Sequence, residues 1–268
     1  MDNNLTGRYR VFELQSYGKI PHDVVINFVG VGDPAKAALM GSSIYEATHF
    51  YDQIILNELN RNPSRKYIFL SSGAVYGDNF DVPVTIDSPS KINVNSLRSE
   101  DSYSVAKLYA EARHRSLEQF NIVDLRIFNY FSRALNLDAR FFISDLLRSI
   151  RNGSVFETSG EDFARDFIHP LDFYKLICSV VEKASINVSL DCYSKSAVTK
   201  YEMLALFKEH FGLNYKVVKN FSNSIEATGF KRNYYSLNHH AEELGYRPDY
   251  TSAEVLVLEA QKIFEIAR

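Results

Sequence analysis

Two cysteines are all that the 268 residues hold: Cys178 and Cys192, each inside an apolar run (LICSVV and SLDCYS). That excludes a disulfide framework and a C-x-x-C metal pair, and it fits a reducing compartment. Long apolar runs are missing too, so no segment approaches the length of a membrane span. The opening stretch MDNNLTGRYRVFEL lacks the apolar core of a signal peptide. These absences lead to the expectation of a cytoplasmic protein with no membrane partner. Positive charge is not in excess either: 30 Lys and Arg stand against 33 Asp and Glu, a formal net charge of −3. The totals imply no nucleic-acid surface. There is no internal repeat and no low-complexity tract. What remains is a chain with 46% hydrophobic and 24% charged residues, ordinary for a soluble globular protein of one large or two modest domains.

The front half alternates strand and helix signals. Arg10 to Leu14 alternates and predicts a strand. Asp23 to Val29, Lys66 to Ser71 and Asn121 to Phe128 are short, nearly continuous apolar runs, as buried parallel strands are. Ile44 to Leu59 and Ser102 to Phe120 have helical spacing. Strands alternating with helices predict an α/β fold, with a parallel sheet covered on both faces. The back half is less regular. Helices are expected over Ala139–Ile150, Pro170–Ala184, Lys200–Phe211 and Ser252–Ala267, with short strands over 188–193 and 215–218. We expect a first domain over 1–132, joined by part of 160–195, and a smaller mixed lobe over most of 133–268.

DSYSVAKLYAEA (101–112) places Tyr103 and Lys107 four apart in a helical context, hence on one face. A phenol with a pKa of about 10 is a poor base at neutral pH. A nearby ammonium favours the phenolate, and such a pair can move a proton to or from a sugar hydroxyl. Alone, Y-x-x-x-K is a weak pattern. Tyr215 and Lys219 repeat it in a strand-like stretch, where positions four apart are separated by about 13 Å. KYIFLSSGAVYGD (66–78) adds a buried strand that ends at Ser72, where ligands bind in open parallel sheets, although serines also commonly cap turns. RIFN (126–129), RDFIHP (165–170) and Arg232 in GFKRNYYSLN bring arginines, whose planar fork suits phosphate. Singly, each is more often a solvated surface charge.

Taken in order, SSGAVYG, YSVAK, RIFN and RDFIHPLDF, with LGYRP at 244–248, resemble the extended short-chain dehydrogenase/reductase family, in its nucleotide-sugar epimerase/dehydratase branch. The resemblance covers about residues 22–268. It implies a Rossmann-like doubly wound parallel sheet, N-terminally truncated, with a smaller mixed C-terminal substrate lobe. It implies Tyr103, Lys107 and Ser72 as the catalytic trio, and NAD or NADP as cofactor against Phe28, Val29, Gly30, Thr48, Tyr103, Lys107 and Phe128. A sugar-nucleotide, such as a cell-surface polysaccharide precursor, would meet Ser72 and Gly73, with Asn129, Arg165 and Arg232 on its diphosphate. The family dimerises by packing two helices per subunit, here Ile44–Leu59 and Ser102–Phe120, so a homodimer or a heteromer with a homologue is implied.

VVINFVGVGDPA (24–35) reads as a strand followed by G-x-G-x-x-A, the shape of a dinucleotide fingerprint. The family carries its T-G-x-x-G-x-x-G turn after the first strand, however, and alignment back from Ser72 makes VVINFVG the fourth. The fingerprint is then a decoy lying beside the cofactor, and the true Gly-rich turn is missing from the sequence. Smaller departures are Thr48 for asparagine and Phe131-Ser132 for Y-G. Gly73-Ala74 stand where 4,6-dehydratases have Asp-Glu, which argues against dehydration. Two readings follow: an NAD(P)-dependent epimerase or ketoreductase, or a catalytically impaired sugar-nucleotide-binding homologue serving as a partner subunit.

Overall fold

Three stretches rich in β-branched and aromatic residues make the centre of the molecule. In the computed structural model, which describes residues 16–31, 34–78, 80–99, 101–139, 141–219 and 231–266, these are β1 (Val24–Asn27), β2 (Lys66–Ser72) and β3 (Asn121–Ile127). With β8 (Val188–Asp191) they form one all-parallel sheet in the order β1-β2-β3-β8. Val25 lies opposite Tyr67, and Ile68 lies opposite Val123. The residue period of two sends alternate side chains to opposite faces.

Both faces are covered, which is why these strands read as near-continuous apolar runs. On one face Val25, Tyr67, Phe69 and Ile122 pack with Ile55, Leu56 and Leu59 of α2 (Ser43–Arg61) and with Ala110 of α3 (Asp101–Arg115). On the other, Ile68, Val123, Leu125 and Leu190 meet Phe173, Leu176, Ile177 and Val180 of α5 (Pro170–Glu182). Each such buried aliphatic side chain contributes about 1.5–3 kcal/mol. The buried Lys66 amine gathers the last carbonyls of α5, those of Val180, Val181 and Lys183, and so anchors that helix end to β2. Between β1 and α2 lies the short helix α1 (Pro34–Met40).

A further apolar cluster joins Phe131 to α4 (Phe142–Asn152), α6 (Lys200–Phe211) and α7 (Ser252–Ile266). Around it run short strands: β4 (Asn129–Tyr130) beside β7 (Phe167–Ile168), β5 (Phe156–Thr158) beside β10 (Tyr215–Val217), and β6 (Ala164–Arg165) between β9 (Val198–Thr199) and β11 (Asn233–Tyr234).

Two helices differ from expectation by three residues or more at one end. α3 stops at Arg115 rather than Phe120, because Asn187 draws the carbonyls of His114, Leu117 and Phe120 onto one amide and bends the chain into β3. α4 starts at Phe142 rather than Ala139, since Phe141 is extended. It ends at Gly153, whose φ of +63° suits a residue without a Cβ. Tyr215 lies in a strand, so it and Lys219 do not share a helix face. The strand expected over Arg10–Leu14 falls outside the described residues.

Candidate active site

β2 brings Ser72 to the carboxyl edge of the sheet, and the chain turns there into a 3-10 segment, Gly73–Tyr76. The Ser72 Oγ accepts the Ala74 N–H at 3.2 Å, which caps that turn. α3 supplies Tyr103 and Lys107 one turn apart on a single face. The Tyr103 phenol has the Ser72 hydroxyl as a polar neighbour. The Lys107 Nζ stands 5.8 Å from the centre of the Tyr103 ring and 4.3 Å from that of Phe69, and donates to the Leu70 carbonyl at 2.7 Å. Two separate elements thus place an alcohol, a phenol and an amine together.

Burial drives the Lys107 amine down to about 8, against the pull of Asp124, Glu111 and Asp52. Burial also raises the Tyr103 phenol above its ordinary value, with the Ser72 hydrogen bond opposing. The protein alone therefore holds the proton on Tyr103 at neutral pH. Added positive charge beside the ring is what would release it.

Gly30 lies against this trio: a Cβ there would stand 3.7 Å from the Lys107 amine. Phe28 and Val29 beside it are exposed, at 56% and 47%. The Val29 N–H donates to the Asn27 side chain at 2.9 Å, which fixes the path of the chain as it leaves β1. Gly32 and Asp33 of the G-x-G-x-x-A stretch fall outside the described residues. Thr48 is half-buried on α2 and is joined to the trio by no hydrogen bond among the described residues. Phe128 lies across Gly73 so closely that a Cβ at Gly73 would collide with its ring.

On the other side of Ser72, the Asn129 amide donates to the Asp166 carbonyl at 3.0 Å and ties β4 to the Arg165 strand. The Arg165 guanidinium donates to the carbonyls of Ala164 and Lys231 and stacks on Phe163 at 4.3 Å, with no carboxylate partner among the described residues. Burial lowers it to about 10. Arg232 is not brought to this group: its side chain is 58% exposed and reaches toward Glu161 at 3.9 Å. Lys231, which the sequence did not single out, sits there instead, its amine 4.9 Å from the Tyr234 ring and 5.0 Å from that of Phe80. Burial lowers this amine to about 8. Tyr234 was missed as well, and its hydroxyl stands 3.3 Å from that of Ser72. The adjacent Tyr234 and Tyr235 in an extended segment were the available signal, because alternation sends one of two neighbours inward.

Beneath the trio runs a buried polar network. The Glu111 carboxylate accepts from Ser71 at 2.5 Å and from the Arg126 fork at 2.6–3.1 Å. Arg126 continues to the Tyr76 hydroxyl at 2.8 Å, and Asp191 accepts from Tyr76 at 3.0 Å and from Ser236 at 2.5 Å. Arg126, which opens RIFN, is therefore committed to internal carboxylates. Farther along α3, His114 is fully buried between Asp124 at 2.6 Å and Asp52 at 2.8 Å.

With this geometry in place, comparison with known proteins decides the family. The sequence profile of the NAD dependent epimerase/dehydratase family matches residues 10–193. The chain belongs to that family. Among its relatives, the UDP-glucose 4-epimerase of Dictyostelium discoideum is 24% identical over 230 residues, which cover 76% of this chain. The match spans 65% of that relative's length, just under two thirds. Among solved structures of epimerases, the Thermotoga maritima UDP-glucose 4-epimerase with UDP-glucose superposes with a TM-score of 0.75 at 18% identity, covering 92% of this chain and 78% of that one. The Bifidobacterium longum UDP-glucose 4-epimerase in complex with NAD+ and UDP gives a TM-score of 0.73 at 19% identity, with 99% and 81% covered. The Rossmann-type α/β fold of the epimerases is thus the fold of this chain. No described helix is long and apolar enough to cross a membrane.

Proposed function

We propose that this chain acts on a nucleotide-linked hexose, as an NAD(P)-dependent 4-epimerase or ketoreductase. The observation that carries the reading is the convergence of Ser72, Tyr103 and Lys107 at one rim of a parallel sheet. The surroundings fit a nicotinamide nucleotide: bare backbone at Gly30 beside a buried amine, and the Phe128 ring across Gly73. When bound, that group accepts and returns a hydride at a sugar carbon. Tyr103 takes the proton from the sugar hydroxyl and later gives it back. Lys107 holds positive charge beneath the phenol. Ser72 orients the hydroxyl. Arg165 and Lys231, cations without a carboxylate partner among the described residues, offer charge-assisted bonds to a diphosphate. The carbonyl-bound Asn129 positions the Arg165 strand.

Calorimetric titration with UDP-glucose, NAD+ and NADP+, together with an assay for UDP-galactose formation, tests the reading. Binding of a sugar-nucleotide and of one dinucleotide, with interconversion, is expected. Failure to bind any dinucleotide abandons the redox assignment. One feature favours the second reading, a partner subunit: β1 pairs only with β2 and forms the outer edge of the sheet among the described residues. A homologue seated on that edge would supply phosphate-binding backbone. If dinucleotide binds only when a homologous epimerase is added, this reading replaces the first.

The same proposal includes self-association through α2 and α3. Phe50 on α2 and Tyr109 on α3 are 57% and 51% exposed, and the His49 and Tyr109 rings lie 6.1 Å apart across the pair.

A further inference from the structure

The Arg165 guanidinium is held by one face and one nitrogen. Its carbon stands 4.3 Å from the centre of the Phe163 ring, a stack that suits a planar, weakly hydrated cation. Its Nη1 donates to the Ala164 and Lys231 carbonyls, each at 2.8 Å. Nε and Nη2 have no hydrogen-bond partner among the described residues, and the residue is half-buried. Phe163 is itself fixed. It ends the loop 159–163 between β5 and β6, and the start of α6 gathers that loop. The Lys200 N–H donates to the Phe163 carbonyl at 2.8 Å. The Lys200 amine donates to the Ser159 carbonyl at 2.8 Å and to that of Glu161, and the Tyr201 hydroxyl to that of Gly160 at 3.0 Å. The Phe163 ring then meets Phe142 of α4 edge-on, with centres 5.1 Å apart. On the other side of this arrangement, the Tyr234 ring lies 5.9 Å from the Arg165 carbon, and its hydroxyl lies 3.3 Å from that of Ser72. The held cation is thus one aromatic ring away from the proposed trio.

We infer that Phe163 is a positioning residue for anion binding: its ring holds the Arg165 guanidinium flat, with Nη1 spent on carbonyls and with Nε and Nη2 left as a two-pronged donor to the diphosphate of a nucleotide-sugar. The inference rests on the function proposed above only in naming that anion. A mobile arginine loses rotamer freedom when it grips a ligand. Here the ordering is completed on folding, so less of it opposes binding. Phe163 brings both bulk and an aromatic face, and the two are separable. Leucine keeps apolar bulk without the face, and tyrosine keeps both. No covalent step is involved.

Calorimetric titration of the full chain with UDP tests this without any dinucleotide. Phe163→Leu is expected to bind UDP about tenfold more weakly, and Phe163→Tyr to match the parent within about twofold. An Arg165→Lys background has no planar fork to stack. There Phe163→Leu is expected to change UDP affinity by less than about twofold. An equal loss with and without Arg165 marks a general packing effect and overturns the inference. So does a Phe163→Leu affinity equal to the parent's, or a parent that takes up no UDP. A second readout needs neither ligand nor a folded leucine variant. In the parent with 15N-labelled arginine, the Arg165 signals are assigned by their loss in Arg165→Lys. Nη1 and Nη2 are expected to give separate signals, because Nη1 alone is tied to carbonyls and the stacked plane does not rotate freely. A single averaged signal overturns the inference. Failure of the redox reading shows instead as absent dinucleotide binding, with the UDP results unaffected.

Discussion

At the scale of single residues, the site is a set of groups held away from their solution protonation. Lys107 is 5% exposed, and its amine sits near 8 because burial outweighs three carboxylates. A lysine whose folded pKa lies below its unfolded value of 10.5 binds fewer protons in the native state. Its cost to stability is full below pH 8 and disappears as pH rises to 10.5. That gap corresponds to about 3 kcal/mol. Lys107→Met is therefore expected to melt higher than the parent at pH 7, with the advantage shrinking steadily between pH 8 and 10. Thermal melts at a series of pH values measure this, and a pH-independent difference would remove the electrostatic account. Tyr103→Phe is expected to lower turnover by roughly 10²–10⁴-fold while sugar-nucleotide affinity changes little, as loss of general acid–base catalysis does. Steady-state rates beside calorimetric affinities check it, and unchanged turnover takes Tyr103 out of the mechanism.

At the scale of elements, α3 serves two ends. Its first two turns carry the site, and its last turn is bolted to the sheet through His114, held between Asp52 of α2 and Asp124 of β3. Burial opposes charge on this imidazole, but Asp124 and Asp52 outweigh it and raise it from 6.5 to about 9. The stabilisation is full below pH 6.5 and is lost as pH rises through 9, an amount of about 3 kcal/mol. His114→Gln should therefore cost most in urea unfolding at pH 6 and much less at pH 9.5. A constant deficit would mean that shape alone, rather than charge, joins α3 to the sheet. The sequence showed α3 as a helix but not this bolt. A histidine on an apolar face says nothing of the two aspartates, 62 and 10 residues away, that meet it.

At the scale of the whole molecule, the α2–α3 pair leaves Phe50 and Tyr109 facing outward. If these helices form a dimer face, sedimentation should give twice the monomer mass for the parent, and Phe50→Glu with Tyr109→Glu should give the monomer. A monomeric parent would remove the assignment. The same scale shows how the Phe131 cluster is joined to the sheet. Asp166 accepts from the Ser194 N–H and the Ser252 hydroxyl, and Asp191 accepts from Ser236, so buried carboxylates clamp the C-terminal segments onto the sheet. Such satisfied networks specify one arrangement, because any other would leave buried charge unpaired.

The local patterns by themselves determined which segments are strands and helices. Periodicity is a property of neighbours along the chain, so VVIN, KYIFLSS and NIVDLRI announced a covered parallel sheet. The four-residue spacing of Tyr103 and Lys107 on one helix and the placing of Ser72 at a strand end were legible for the same reason. Only the tertiary structure decided what faces what. It turned Lys231 inward where Arg232 was expected, set Tyr234 on Ser72, committed Arg126 to Glu111, and ended α3 on Asn187. Each of these depends on groups tens of residues apart meeting at a few ångströms, and no local periodicity encodes such distances.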